Sequence, residues 1–115
     1  EVARALGARS VFTERKDGRM LLRRGFKVGR GDNVLVVEDV VTTGASTKEV
    51  LDIVKKTGAR IAGIGAIVDR SKGTGFGEKF TSLLTMDMPS FAPDDCPFCK
   101  DKNPLVKPGS RAANA

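Results

Sequence analysis

Val34-Leu35-Val36-Val37-Glu38-Asp39-Val40-Val41-Thr42-Thr43-Gly44-Ala45-Ser46-Thr47-Lys48-Glu49 is the stretch on which the fold turns. Its first four residues form a continuous β-branched and aliphatic run, which reads as a strand buried on both faces in a parallel sheet. Residues 38–45 read as a loop. Ser46 and Glu49 have capping-box spacing, with Ser46 as the N-cap. A helix is expected from there to about Thr57, burying Val50, Leu51, Ile53 and Val54, with Gly58 ending it. Residues 60–68 are Ile-rich and read as a second strand, 69–77 as a glycine-rich loop, and 81–86 as a third strand. Strand, loop, helix and strand in that order imply a right-handed crossover, hence an α/β fold with a parallel sheet.

Upstream, Val2, Ala3, Ala5 and Leu6 read as the end of an amphipathic helix closed by Gly7. No N-cap precedes them, so the expectation is that a preceding region is missing. Ser10-Val11-Phe12-Thr13 is β-prone, and Asp17-Gly18 is a hairpin turn signal. Met20-Leu21-Leu22 and Gly25-Phe26-Lys27-Val28 suggest a ribbon around Arg23-Arg24. Downstream of Met88, prolines and mixed charge mark a tail without periodicity. The expected division is a core over 1–88 and a tail over 89–115 packing on or near it.

The length of 115 residues suits one domain. No apolar run reaches the ~18 residues a membrane span needs. Histidine is absent, which excludes hydrolysis through an imidazole base. The net charge of +6 is local: residues 9–30 hold eight basic and two acidic side chains, and the remaining segments balance. Such a patch implies an anionic partner.

The central stretch has a chemical sense. Ligands of open α/β sheets bind beyond the carboxyl ends of the strands. A helix N-terminus offers free N–H groups to a phosphate. Thr42, Thr43 and Ser46 add hydroxyls, and Gly44 permits close backbone approach. Glu38 and Asp39 would repel a phosphate, so sugar hydroxyls or a hydrated Mg²⁺ fit them better. The loop lacks the Gly-Lys-Ser/Thr of a Walker motif and is no dinucleotide fingerprint. The alternative is a plain strand-to-helix turn.

With these residues in view, the stretch 34–46 resembles the phosphoribosyl-pyrophosphate signature of the type I phosphoribosyltransferases. Phe12-Thr13-Glu14-Arg15, Leu22-Arg23-Arg24-Gly25-Phe26, Val68-Asp69-Arg70-Ser71, Cys96-Pro97-Phe98-Cys99 and Pro104-Leu105-Val106-Lys107-Pro108-Gly109-Ser110-Arg111 resemble the orotate-using branch of that family in bacteria. The resemblance implies a type I phosphoribosyltransferase fold, a parallel sheet flanked by helices with a basic hairpin loop, present here as a partial domain. It implies an enzyme that transfers a 5-phosphoribosyl group from 5-phosphoribosyl 1-diphosphate to orotate. The products are orotidine 5′-monophosphate and diphosphate, in the de novo formation of UMP. It implies Mg²⁺ held through substrate and water, a homodimer, a cytoplasmic location, and no nucleic-acid or membrane partner. The rivals are a phosphoribosyltransferase for a purine or uracil and a non-catalytic regulatory phosphoribosyl-binding protein.

By the same resemblance, Glu38 and Asp39 lie beside the ribose and act in catalysis. Val40, Val41, Thr42, Thr43, Gly44, Ala45 and Ser46 complete the phosphoribosyl site. Thr42 and Arg70 hold orotate; an anion with planar acceptors suits a guanidinium fork. Arg15 and Lys16 open the basic loop that closes over the diphosphate. Arg19 stands where many relatives carry lysine, and a histidine further on is absent, so Lys16, Arg19, Arg23 and Arg24 all stay candidates for the diphosphate contact. Lacking its beginning, the chain alone is expected to be weakly active or inactive. Cys96 and Cys99 lack further ligands for zinc and read as structural or incidental.

Overall fold

A computed structural model describes residues 1–89, 91–92 and 94–104. The short helix α1 spans Val2–Ala5. Strands β1 (Thr13–Lys16) and β2 (Arg19–Leu22) pair antiparallel. Then follow β3 (Asn33–Val41), α2 (Ala45–Thr57), β4 (Arg60–Asp69), β5 (Phe80–Thr85) and α3 (Pro97–Lys100). The main sheet has the order β3-β4-β5 and is parallel throughout, as the strand–helix–strand pattern predicts. The tail residues 105–111, part of the family resemblance, lie outside the described residues.

The hairpin turns where Asp17-Gly18 signals it. Both residues have positive φ, 50° and 78°, as the tight turn of a two-residue hairpin loop requires. The ribbon differs from expectation at both edges. Its first strand begins at Thr13, and residues 25–28 are not a strand. Arg24 and Gly25 both take positive φ, 59° and 72°, which breaks the extended backbone. Phe26 instead meets Phe12 edge to face, with centroids 5.0 Å apart.

The core is formed by Val36, Val41, Leu51, Ile64, Ala66 and Phe76, with Val34, Val50, Ile61 and Phe80 around it. Helix α2 and the 70–79 connection cover this side of the sheet. The other side is open. Along β3, Val36 is 4% exposed, but its neighbours Leu35 and Val37 are 44% and 46% exposed. Ile67 and Leu83 are exposed too. The expected burial of residues 34–37 on both faces is therefore not met. The apolar run encodes a two-sided strand, but only one long helix is present among the described residues to cover it. A cavity of about 580 Å³ lies on the open side between α1, residues 8–11 and β3.

Candidate phosphoribosyl site

Strand β3 runs further than residues 34–37. Glu38, Asp39, Val40 and Val41 belong to it, so the expected 38–45 loop shrinks to residues 42–44. The two adjacent carboxylates consequently differ, because successive strand side chains point to opposite faces. Glu38 is half-buried on the face that α2 covers. Burial, and next the charge of Asp39, push the Glu38 carboxyl above its ordinary value, and the neighbouring Thr47 hydroxyl pulls the other way. Asp39 is exposed, and its Oδ1 accepts the Val40 N–H at 2.7 Å.

The helix start also differs from expectation. Ser46 is not the N-cap. Gly44 is, with φ 74°, and no side chain caps α2. Glu49 is unavailable for a capping box because Arg15 takes its carboxylate at 2.6 Å. The Ser46 and Thr47 N–H groups in the first turn of α2 are thereby left without a side-chain partner among the described residues, the arrangement that suits a bound anion. Thr43 bends back instead, with its Oγ1 accepting the Ala45 N–H at 3.3 Å.

Gly44 is required twice over. Its φ is in the left-handed region, and a Cβ there would come within 2.8 Å of the Phe76 ring and 3.0 Å of the Thr74 methyl. Phe76 is itself buried and stacks edge to face on Phe80, centroids 5.1 Å apart. The glycine-rich 70–77 segment thus buttresses the 42–46 segment from below.

Arg70 joins the same place. Its backbone N–H donates to the Val41 carbonyl at 2.8 Å, directly beneath Thr42. The preceding Asp69 is buried, pairs in register with Val41, and accepts the Ser71 N–H at 2.8 Å. The Arg70 Nε is buried with no hydrogen-bond partner among the described residues. A buried unpaired guanidinium donor is costly and points to a missing acceptor.

Half of the eight cations in the basic segment are paired within the chain. Arg9 pairs with Asp32, Arg15 with Glu49, and both Arg23 and Arg24 with Glu14. These contacts hold the Glu14, Asp32 and Glu49 carboxyls below their usual range; backbone N–H donation from Gly29 leads at Asp32, and the arginine hydrogen bond leads at the other two. Lys16 and Arg19 face each other across the hairpin tip, exposed and without an ion pair among the described residues. Of the expected pair, Arg15 is committed to α2 and Lys16 is free.

The structure therefore unites Glu38 through Ser46 with Arg70, and sets the hairpin on α2 one turn from Ala45 through Glu49. Thr47, Thr74, Phe76 and Glu49 were not singled out from sequence as parts of this site. Thr47, Leu51 and Val54 are the buried residues of α2, a spacing of four and three that marks one helical face and offered a signal for Thr47. Phe76 and Glu49 gave none, since their partners lie far away in sequence. No group of three or more His, Cys, Asp or Glu suited to a metal ion is present among the described residues. Two carboxylates on opposite strand faces do not form a metal cage. They fit Mg²⁺ only as an ion carried mainly by substrate oxygens and water.

A parallel sheet whose first strand ends in a carboxylate pair, followed by an uncapped helix turn and beside an orphaned arginine, defines an α/β protein with a candidate anion site beyond its strand ends. The particular family follows from comparison. Residues 6–92 match the phosphoribosyl transferase domain, and the chain belongs to that family. It is 56% identical over 112 residues to a protein named orotate phosphoribosyltransferase from Pelotomaculum thermopropionicum, covering 96% of this chain and 59% of that one. The same name, identity and coverage hold over 111 residues for a Thermotoga maritima protein. The chain thus spans 59% of the length of these curated relatives. Among solved structures, adenine phosphoribosyltransferase from Leishmania tarentolae superposes with a TM-score of 0.54 at 21% identity, covering 75% of this chain and 55% of that chain. At that identity the likeness concerns the fold.

Proposed function

We propose that this chain forms the phosphoribosyl- and orotate-binding part of an orotate phosphoribosyltransferase, in which orotate takes the ribosyl group of 5-phosphoribosyl 1-diphosphate. The observation that carries this reading is the orphaned Arg70 Nε set against the end of β3, where the uncapped turn of α2 begins. A guanidinium needing an acceptor suits an anionic base, and a neutral base does not require it.

The 42–46 segment and the first turn of α2 receive the 5′-phosphate. Asp39, exposed at the strand end, and Glu38 beside it hold the ribose hydroxyls. As the diphosphate departs, positive charge develops on the ribose, in kind as in glycoside cleavage. The nearby carboxylates stabilise it. No protein nucleophile is needed. Lys16 and Arg19 at the hairpin tip are the free cations for the diphosphate. Mg²⁺ would supply further charge neutralisation through the substrate. The family resemblance adds a homodimer, a cytoplasmic location, and a core over 1–88 with a tail over 89–115.

Calorimetric titration tests the reading. The chain with Mg²⁺ is expected to bind 5-phosphoribosyl 1-diphosphate and, after it, orotate in preference to uracil or adenine. Arg70→Gln should weaken orotate by about tenfold to a hundredfold, the worth of a charge-assisted hydrogen bond, and leave the phosphoribosyl ligand unaffected. Equal binding of uracil, or an unchanged orotate affinity in the variant, overturns it.

A further inference from the structure

Arg15 and Lys16 are neighbours in sequence, but the pleat of the hairpin sends their side chains to opposite faces. In register, Thr13 pairs with Leu22, Arg15 with Met20, and Lys16 with Arg19. Thr13, Arg15, Met20 and Leu22 therefore share one face of the ribbon, and Lys16 and Arg19 share the other. The first face turns toward α2: Met20 and Leu22 are half-buried, while Arg19 and Leu21 are exposed. There the Arg15 guanidinium makes three hydrogen bonds. Its Nη2 donates to Glu49 Oε1 at 2.6 Å. Its Nη1 donates to Glu49 Oε2 at 3.2 Å and to the Gly18 carbonyl at 2.6 Å. One planar fork thus ties the hairpin turn to a helix, a geometry that lysine does not reproduce. On the other face, Lys16 and Arg19 stand directly opposite, without an ion pair among the described residues. Like charges so placed repel, and an anion between them relieves the repulsion.

We propose that Arg15 and Glu49 form a strut that positions the hairpin, so that Lys16 and Arg19 meet the diphosphate and Arg15 does not. This assignment rests on the phosphoribosyl-transfer reading of the chain. The family resemblance groups Arg15 with Lys16 at the opening of the basic loop; the strut separates their duties. Glu49 lies in the second turn of α2, which begins at Ala45. The strut therefore refers the hairpin tip to the same helix whose first turn is proposed to receive the 5′-phosphate. Cations at the tip and free N–H groups at the helix start are then held at a set separation, as the two charged ends of one ligand require. To contact the diphosphate, Arg15 would have to surrender a bidentate carboxylate and the Gly18 carbonyl. Lys16 and Arg19 surrender no ion pair seen among the described residues. Arg15 and Glu49 are thus positioning residues, acting through the backbone that carries the tip.

The test titrates inorganic diphosphate with Mg²⁺ into the full 115-residue chain by calorimetry, and follows amide exchange over residues 13–22 without ligand. Arg15→Gln and Glu49→Gln should each quicken hairpin exchange. Asp52→Asn makes the same charge change as Glu49→Gln at an exposed site nearly one turn further along α2, and should leave hairpin exchange unaltered. Relative to Asp52→Asn, Glu49→Gln should weaken diphosphate by about threefold, the worth of an exposed ion pair. The charge-neutral swap of Arg15→Glu with Glu49→Arg should restore most of both readouts. Lys16→Gln should weaken diphosphate by about tenfold, the worth of a charge-assisted contact, without quickening exchange. A swap that binds as weakly as Arg15→Gln, or a Glu49→Gln variant that binds no more weakly than Asp52→Asn, makes Arg15 a ligand and overturns the strut. Hairpin exchange unaltered in both single variants overturns it as well. A wild-type chain whose variants show the exchange changes but that binds no diphosphate fails the phosphoribosyl-transfer reading, and the positioning role with it.

Discussion

Residues 42–46 and the hairpin of β1 and β2 both present groups suited to phosphate, but they are held in place by different forces. The 42–46 segment rests on a buried ring: Phe76 fills the space under Gly44 and continues into the core through Phe80. The hairpin is held at its outer side by exposed ion pairs, Arg15 to Glu49 and Arg24 to Glu14. Apolar packing is insensitive to salt, whereas exposed pairs weaken once the screening length falls below their reach. The segment proposed for the sugar phosphate is therefore anchored by core packing, and the hairpin that carries Lys16 and Arg19 by exposed ion pairs that salt weakens.

The sharpest way to break that contrast is Phe76→Ala. Removing a buried ring should cost about 3 kcal/mol of stability, read by urea unfolding, and a loss below about 1 kcal/mol would deny the buttress. Gly44→Ala comes next. Left-handed backbone strain together with crowding against Phe76 and Thr74 should cost about 2 kcal/mol. Phosphoribosyl binding should fall with it. A Gly44→Ala, Phe76→Ala double variant that loses clearly less than the sum of the two single losses would show that crowding, rather than backbone strain, is the cause.

Glu49→Gln addresses the hairpin. Amide exchange over residues 13–22 should quicken while β3 and β4 stay protected, and raising salt to about 0.5 M should mimic the variant. Equal quickening in the sheet would mean that the two regions are not independently held.

The smallest effect is expected at Glu38. Its folded-state value is raised, so the fold prefers the protonated form, and that contribution fades as pH rises through the folded value. At neutral pH the wild type carries a burial cost that Glu38→Gln lacks. The variant should melt slightly higher at pH 7 and equal the wild type below about pH 4, where the unfolded carboxyl also protonates. A variant that melts lower at pH 7 would indicate that the pull of the neighbouring Thr47 hydroxyl outweighs burial.

Much of this was legible from sequence. The strand–helix–strand alternation, the Asp17-Gly18 turn, the end of α2 at Gly58 and the grouping of residues 38–46 all follow from neighbours a few positions apart. The open face of the sheet was not legible, because an apolar run announces that it wants covering but not whether a cover is present. Ser46 and Glu49 show the same limit: their spacing fits a capping box, but Arg15, thirty-four positions from Glu49, claims the carboxylate.

Sequence alone therefore determined the elements, the placement of Glu38 through Ser46 at a strand end, and the concentration of charge in residues 9–30. Tertiary structure alone decided that Glu38 is half-buried while Asp39 is exposed, that Arg70 stands under Thr42 with a donor unpaired, and that Lys16 and Arg19 remain free. The reason is physical: propensity and turn chemistry act over a few residues, whereas burial, charge pairing and unmet hydrogen bonds depend on which distant segments the fold brings into contact.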